Sequence, residues 1–396
     1  MTEAGRFSSR LPRYGDVNAI TRAVAAARAT GAALLDLTAS NPTTSGFPYP
    51  EHLLSGLSAP GALRYEPASA GSLAAREAVA ADYARRGVAV DPGHLVLSAS
   101  TSEAYSWLFK LLCDAGDTVM IPRPSYPLFE HLTRLEGVRA EAYSLWYHGR
   151  WEIDFAELDR APARTRAVVL VSPNNPTGSY VSAPELTHLV QLCRIRGWAI
   201  IADEVFAEYA LDAACPLTDI AAGADVLSFT LGGASKQLGL PQVKLAWTLV
   251  GGPADVRDDA LRALDVIADT FLSVGTPVQE AAASLFERGA TVRAAIQART
   301  RRNLGSLREI AQGHHVCSVL EVEGGWTAVV RVPATRSEES LVLELIREAG
   351  VLVHPGYFFD FPHEAFLVVS LLPREVVFDE ACRRLLACAS RSCLSS

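Results

Sequence analysis

Residues 167–205 read AVVLVSPNNPTGSYVSAPELTHLVQLCRIRGWAIIADEV. Two short apolar runs, Ala167–Val171 and Trp198–Ala202, bracket a helical pattern over Ala183–Arg196. Neither run alternates apolar with polar residues, so each reads as a strand buried on both faces. Strand, helix and strand in that order predict a parallel pair joined by a crossover helix. The pattern extends in both directions. His94–Ala99 (HLVLSA), Thr118–Ile121 (TVMI), Val226–Thr230 (VLSFT) and Leu245–Val250 (LAWTLV) are further apolar runs. Ser102–Cys113 and Tyr126–Leu135 supply helices between them, and Thr218–Ala222 is a shorter helical candidate. The expected fold class is α/β: a large domain whose mostly parallel sheet is sandwiched by helices.

The last third changes character. Pro253–Leu272 and Val278–Ala311 read as long helices. Short strands follow at Ser318–Val322, Trp326–Val332, Val351–His354 and Ala365–Leu371, with helices near Glu338–Glu348 and over Pro373–Ala389. The N-terminal helix Asn18–Thr30 is expected to pack with them. The division expected is 39–289 for the large domain, with 1–38 and 290–396 forming a small α+β domain from both termini.

Composition narrows the function. The chain has 396 residues, 49% of them hydrophobic and 20% charged, which excludes a disordered chain. Its net charge of −8 argues against nucleic acid as a partner. No apolar run approaches the length of a membrane span, and the N-terminus MTEAGRFSSRLPRYG has no apolar core for a secretion signal. The seven cysteines (Cys113, Cys193, Cys215, Cys317, Cys382, Cys388 and Cys393) are scattered, with no CxxC. That suits reduced thiols in a cytoplasm, with neither a disulfide framework nor a zinc site. Of 36 basic residues only Lys110, Lys236 and Lys244 are lysines. Arginine stays protonated at any working pH, whereas a lysine amine can lose its proton and attack a carbonyl.

Ligands in an open α/β sheet sit beyond the carboxyl ends of the strands. Ser100, Thr101 and Ser102 follow HLVLSA and open a helix, a site for phosphate or a plain cap. Tyr126 follows TVMI in PRPSYP; it offers a flat face, or simply packs. SPNNPTG, with Asn174 and Asn175, follows AVVLV and is at the least a proline-bounded turn. Asp203 ends WAIIAD, where a buried carboxylate needs a partner. Lys236 follows VLSFTLGGAS, behind a Gly-Gly pair that lets backbone approach a ligand. A phosphate cradle, a carboxylate, an amide, an aromatic face and a lysine on one sheet edge together match the needs of pyridoxal 5'-phosphate.

At this point the chain resembles a family. RYEPASAG (64–71), STSEA (100–104), PSYP (124–127), SPNNPTG (172–178), ADEV (202–205), ASKQLGLP (234–241) and HPGYFF (354–359) occur in the order found in the class I/II aminotransferases, fold-type-I pyridoxal-phosphate enzymes of the aspartate aminotransferase superfamily. The likeness runs from about Leu35 to the C-terminal helix. It implies transfer of an amino group between an amino acid or amine and a 2-oxo acid. It also implies that Lys236 holds the cofactor aldehyde as a Schiff base and shuttles the proton. By the same resemblance, Asp203 pairs with the pyridine nitrogen, Asn175 bonds the ring 3-oxygen and Tyr126 stacks on the ring. Thr101 and Ser102 hold the phosphate with the N–H groups of their helix start, opened by Ser100. Lys244 stands where the family usually has a phosphate-binding arginine. Tyr65 matches a tyrosine that reaches the neighbouring subunit's phosphate, which implies a homodimer with shared sites. Asn41 lies in the substrate loop TASNPTTSGFP.

Four positions depart from the family pattern. Phe206 replaces a tyrosine that bonds the ring oxygen; losing that donor should raise the Schiff-base pKa. Gly233 replaces a phosphate-binding serine, and Ser40 a glycine of the substrate loop. Most consequentially, the penultimate strand reads FLVVSLLP, with Val368 where an arginine normally grips the substrate carboxylate. Three outcomes are open. Arg10, Arg13 or Arg374 replaces the clamp; the substrate lacks that carboxylate; or the carboxylate leaves, which makes the protein a lyase or decarboxylase. A non-catalytic sensor has no use for a proton-shuttling lysine, and a dinucleotide enzyme would show GxGxxG after its first strand. With no evident pair of arginines, aspartate is expected to be a poor donor.

Overall fold

The computed structural model describes residues 7–12, 17–211 and 225–391. The helical candidate Thr218–Ala222 and Arg13 lie outside the described residues. The central sheet takes eight strands: β1 (Leu95–Ser98), β2 (Thr118–Arg123), β3 (Arg139–Tyr147), β4 (Trp151–Ile153), β5 (Thr165–Val171), β6 (Ala199–Asp203), β7 (Ser228–Gly233) and β8 (Ala246–Gly251). Their order is β1-β8-β7-β6-β5-β2-β3-β4. The run β7-β6-β5-β2-β3 is parallel, and β8 and β4 join antiparallel to their neighbours. β5 and β6 are the two strands of residues 167–205, paired from Ala167 opposite Ala199 to Val171 opposite Asp203.

The helices are α1 (Ala19–Ala29), α2 (Leu73–Arg85), α3 (Thr101–Leu112), α4 (Leu128–Leu135), α5 (Phe155–Asp159), α6 (Ala183–Arg196), α7 (Ala234–Gln237), α8 (Ala254–Phe271), α9 (Thr276–Ala311), α10 (Glu338–Glu344) and α11 (Glu375–Arg391). Of these, α3, α4 and α8 cover one face of the central sheet and α5 and α6 the other. Their starts are legible. Ser182 caps α6 in a capping box with Glu185, and Gly197 ends it in the left-handed conformation. Asn18 caps α1, its Oδ1 accepting from the Thr21 amide at 2.7 Å. The helix expected from Tyr126 begins two residues later, behind Pro127, which leaves Tyr126 in the loop.

A second, all-antiparallel sheet is formed by β9 (Ser318–Val319), β10 (Thr327–Arg331), β11 (His354–Pro355) and β12 (Phe366–Ser370), in the order β9-β10-β12-β11. A separate two-residue parallel pair joins Leu35–Asp36 to Val351–Leu352, tying the N-terminal segment to the C-terminal third. Ile20 of α1 packs into the same apolar cluster as Val330, Leu367 and Leu385, as the sequence leads one to expect. Residue 289 lies inside α9, which runs unbroken for 36 residues and buries Gly289 against Leu238.

Sequence reading missed β3 and β4. β3 carries Arg139, Glu141 and Ser144, and much of it is only partly buried. A strand beside the sheet edge need not be a continuous apolar run, so the pattern that found the central strands does not find it.

The Gly-Gly pair before Lys236 has a more specific cause than ligand approach. A Cβ on Gly232 would lie 2.4 Å from Nε1 of the buried Trp247 indole on β8, whereas one on Gly233 meets nothing closer than 3.5 Å. Gly232 is therefore a packing requirement, and Gly233 has room for a side chain. Gly232→Ala is expected to cost roughly 1–3 kcal/mol in urea unfolding, and Gly233→Ala far less; equal costs would contradict this account.

Candidate active site

The carboxyl ends of the parallel strands open on a cavity of about 470 Å³. Ser100, Thr101, Ser102, Tyr126, Asn175, Asp203 and Lys236 all line it. They arrive from five strand ends or from the turns after them, so the sheet order brings together residues spread over more than a hundred positions of sequence.

Ser100 is the N-cap of α3, its hydroxyl accepting from the Glu103 amide at 3.2 Å. The first turn of this twelve-residue helix thus faces the cavity with its unpaired N–H groups and the hydroxyls of Thr101 and Ser102. Glu103 would repel an anion there, but its carboxylate is turned aside, accepting from the Ala99 amide and the Ser273 hydroxyl, both at 2.7 Å. The two asparagines divide the work. Asn174 is buried and spent on structure, donating to Pro124 O at 3.0 Å and to Thr177 Oγ1 at 2.9 Å. Asn175 faces the cavity.

Asp203 sits at the end of β6. Its carboxylate accepts from the Tyr105 hydroxyl at 3.1 Å and from the Val205 amide at 3.2 Å. Those donors, and the Lys236 charge, do not offset its removal from water: burial pushes its pKa up to about 6. A carboxylate with too few donors favours a cationic partner in the cavity, as a protonated ring nitrogen would be. Lys236 shows the converse. Burial lowers its pKa, and the Asp203 charge opposes the shift. Its Nζ lies 5.2 Å from the ring centre of Trp326 and 5.7 Å from that of Phe206.

Sequence reading missed several groups here. Tyr105 holds Asp203 and lines the cavity, one helical turn beyond Thr101. Ser235, Trp326, Thr38 and His354 also line it. A further set lies behind the lysine. Tyr209 donates its hydroxyl to Lys236 O at 2.7 Å. The Gln237 amide donates to Asp82 and, at 3.2 Å, to Glu208, and Arg293 lies 3.5 and 3.4 Å from those two carboxylates. These anchor α7, and no sequence spacing links Asp82 to Arg293.

The remaining candidates do not line the cavity. Asn41 is exposed, and its Oδ1 accepts from the Thr43 amide at 3.0 Å and the Thr43 hydroxyl at 2.7 Å. Arg10 donates to Leu135 O at the far end of α4. Arg374 is exposed, with its guanidinium against Gly46. Lys244 is exposed and left-handed, with φ 59°. Tyr65 is 77% exposed, in a stretch beside Leu272 and Ser273.

Residues 33–385 match the family model described as aminotransferase class I and II. The chain belongs to that family. This aminotransferase is 26% identical over 375 residues to the glutamate-pyruvate aminotransferase AlaA of Haemophilus influenzae, covering 90% of each chain. It is 28% identical over 381 residues to an alanine aminotransferase of Mycobacterium bovis, covering 87% of this chain and 83% of that one. Among solved structures, the alanine aminotransferase of Pyrococcus furiosus superposes with a TM-score of 0.85 at 22% identity, over 96% of this chain and 99% of that one. That likeness is one of fold. No helix among the described residues of the enzyme is long and apolar enough to cross a membrane.

The raised pKa of Asp203 fixes a pH dependence. Without a countercharge, its contribution to stability is full below its unfolded value near 3.9 and is lost as pH rises through about 6. A cationic ring bound against Asp203 would need the ionised form, so affinity for a ligand such as pyridoxal phosphate would then fall about tenfold per pH unit below that midpoint. Tyr105→Phe removes a donor to the carboxylate and should move the midpoint upward. Fluorescence titration between pH 5 and 8 checks both; a profile flat across that range in the wild type, or unmoved by Tyr105→Phe, contradicts them.

Proposed function

We propose that this enzyme carries pyridoxal 5'-phosphate on Lys236 and moves an amino group between an amino donor, either an amino acid or an amine, and a carbonyl acceptor. The observation that supports it best is the pairing of a half-buried amine of lowered pKa with a half-buried carboxylate of raised pKa across one cavity, beside a helix N-terminus. When bound, the group supplies an electrophilic aldehyde and an electron-accepting ring.

The roles then follow from chemistry. Lys236, its charge disfavoured by burial, reaches the unprotonated form that attacks a carbonyl and later takes a proton from the donor carbon. Asp203 would keep a ring nitrogen protonated. Asn175 would donate to the ring oxygen, Tyr126 would cover the ring face, and Thr101 and Ser102 would hold phosphate with the first N–H groups of α3. Lys244 and Tyr65 do not line the cavity of a single chain. The strong exposure of Tyr65 suits a tyrosine that completes the phosphate site of a second copy, so we assign a homodimer with shared sites. Cys113, Cys193, Cys382 and Cys388 are free thiols, which suits the cytoplasm. The lyase reading is not favoured, because the relatives named above are aminotransferases.

The test is a pair of half-reactions. An amino donor should bleach the visible absorbance of the loaded enzyme, and a carbonyl acceptor should restore it. Release of carbon dioxide without such cycling would instead favour the lyase. Lys236→Ala should lower turnover by about 10³-fold or more, and Tyr126→Phe only weaken it; equal losses would contradict the assigned roles. Phe206→Tyr restores a donor to the ring oxygen and should lower the pH midpoint of the visible absorbance; an unchanged or raised midpoint would contradict the assigned place of residue 206.

A further inference from the structure

An α-amino acid brings to the reacting carbon a carboxylate that stays ionised at neutral pH. A cavity that takes it in must replace the water it loses with a cation or with several donors. Among the described residues lining this cavity there is no arginine, and Lys236, whose nitrogen is the reacting one, is the sole lysine. The one carboxylate there, Asp203, adds repulsion. Away from the lysine the wall is apolar: Leu128, Leu132, Phe358, Phe359, Val368 and Leu372. Val368 is 1% exposed and packs with Val329, Leu320 and Phe359. Opposite it in the sheet stands His354, which also lines the cavity and touches the rings of Phe358 and Phe359. Burial lowers the His354 pKa, against the pull of Asp36, so this imidazole is a poor cation at neutral pH. The neighbouring hydroxyls are committed elsewhere: Thr327 donates to Pro176 O and Ser370 to Ala39 O.

We propose that the amino donor of this enzyme is a primary amine carrying an apolar group, with no carboxylate on the reacting carbon. The proposal rests on the aminotransferase reading above and names its substrate class. By the same argument the acceptor is a neutral aldehyde or ketone. The exchange balances without an oxidant: the donor's C–N bond becomes a carbonyl, and the acceptor's carbonyl becomes an amine.

Two measurements test it. In calorimetry on the full-length protein, with and without pyridoxal phosphate, 3-phenylpropanamide and 3-phenylpropanoate differ only in charge at one end. The neutral amide should bind at least tenfold more tightly. In single turnovers of the loaded enzyme, 2-phenylethylamine should bleach the visible absorbance on the order of 100-fold faster than phenylalanine, the size expected for an unpaired buried charge. Val368→Arg should narrow or reverse both preferences, whereas Val368→Met, which adds length without charge, should keep them. Tighter or equal binding of the carboxylate overturns the proposal. So does faster turnover of phenylalanine, or failure of the enzyme to react with either compound once it has turned yellow. A protein that never turns yellow with pyridoxal phosphate counts against the cofactor reading instead, and the calorimetry without cofactor still reads the wall.

Discussion

A lysine amine and an aspartate carboxylate, both withdrawn from water into one cavity, set the terms for the rest of this molecule. Each is pushed toward its neutral form by burial and pulled back by the other. Such a pair is costly unless the surroundings hold it in place or a ligand brings the missing charge. Both kinds of support are visible. Tyr105 and the Val205 amide fix the carboxylate from the sheet side. Behind the lysine, Tyr209 holds the backbone of α7, and Gln237 ties that helix to the charged group of Asp82, Glu208 and Arg293. The lysine is thereby presented to the cavity on a short helix that is braced from its far side.

Much of this was legible in the chain. Parallel strands covered by helices on both faces are buried, so four of the five here announce themselves as apolar runs, and the residues after each run must meet at one edge. Strand order alone thus puts Ser100, Tyr126, Asn175, Asp203 and Lys236 together. Where burial is partial the signal is lost: β3, with its charged residues, has no such run. It is lost again where contact crosses the fold without a sequence rule. Nothing in the spacing of Tyr105 and Asp203, or of Asp82 and Arg293, says that they touch. The substrate-side candidates fared worst for a related reason. Arg10, Arg374 and Asn41 were chosen by chemistry alone, and side-chain chemistry does not say which way a loop faces.

The site is therefore uneven. Its inner half is polar and closely specified, with hydroxyls, amide, carboxylate and amine at the strand ends. Its outer half is leucine, phenylalanine and valine, with Val368 where the resemblance read from the sequence leads one to expect a guanidinium. The two halves answer to different demands, the inner to the chemistry of the lysine and the carboxylate and the outer to whatever enters.

The central claim is that the amine of Lys236 is the one that bonds the cofactor aldehyde. The most direct measurement is reduction of the pyridoxal-phosphate-loaded protein with borohydride, followed by proteolysis and mass mapping. The account predicts a single stable adduct on the peptide containing Ala234–Gln237, carried by Lys236. An adduct on Lys110 or Lys244 instead, or no adduct at all, would contradict it.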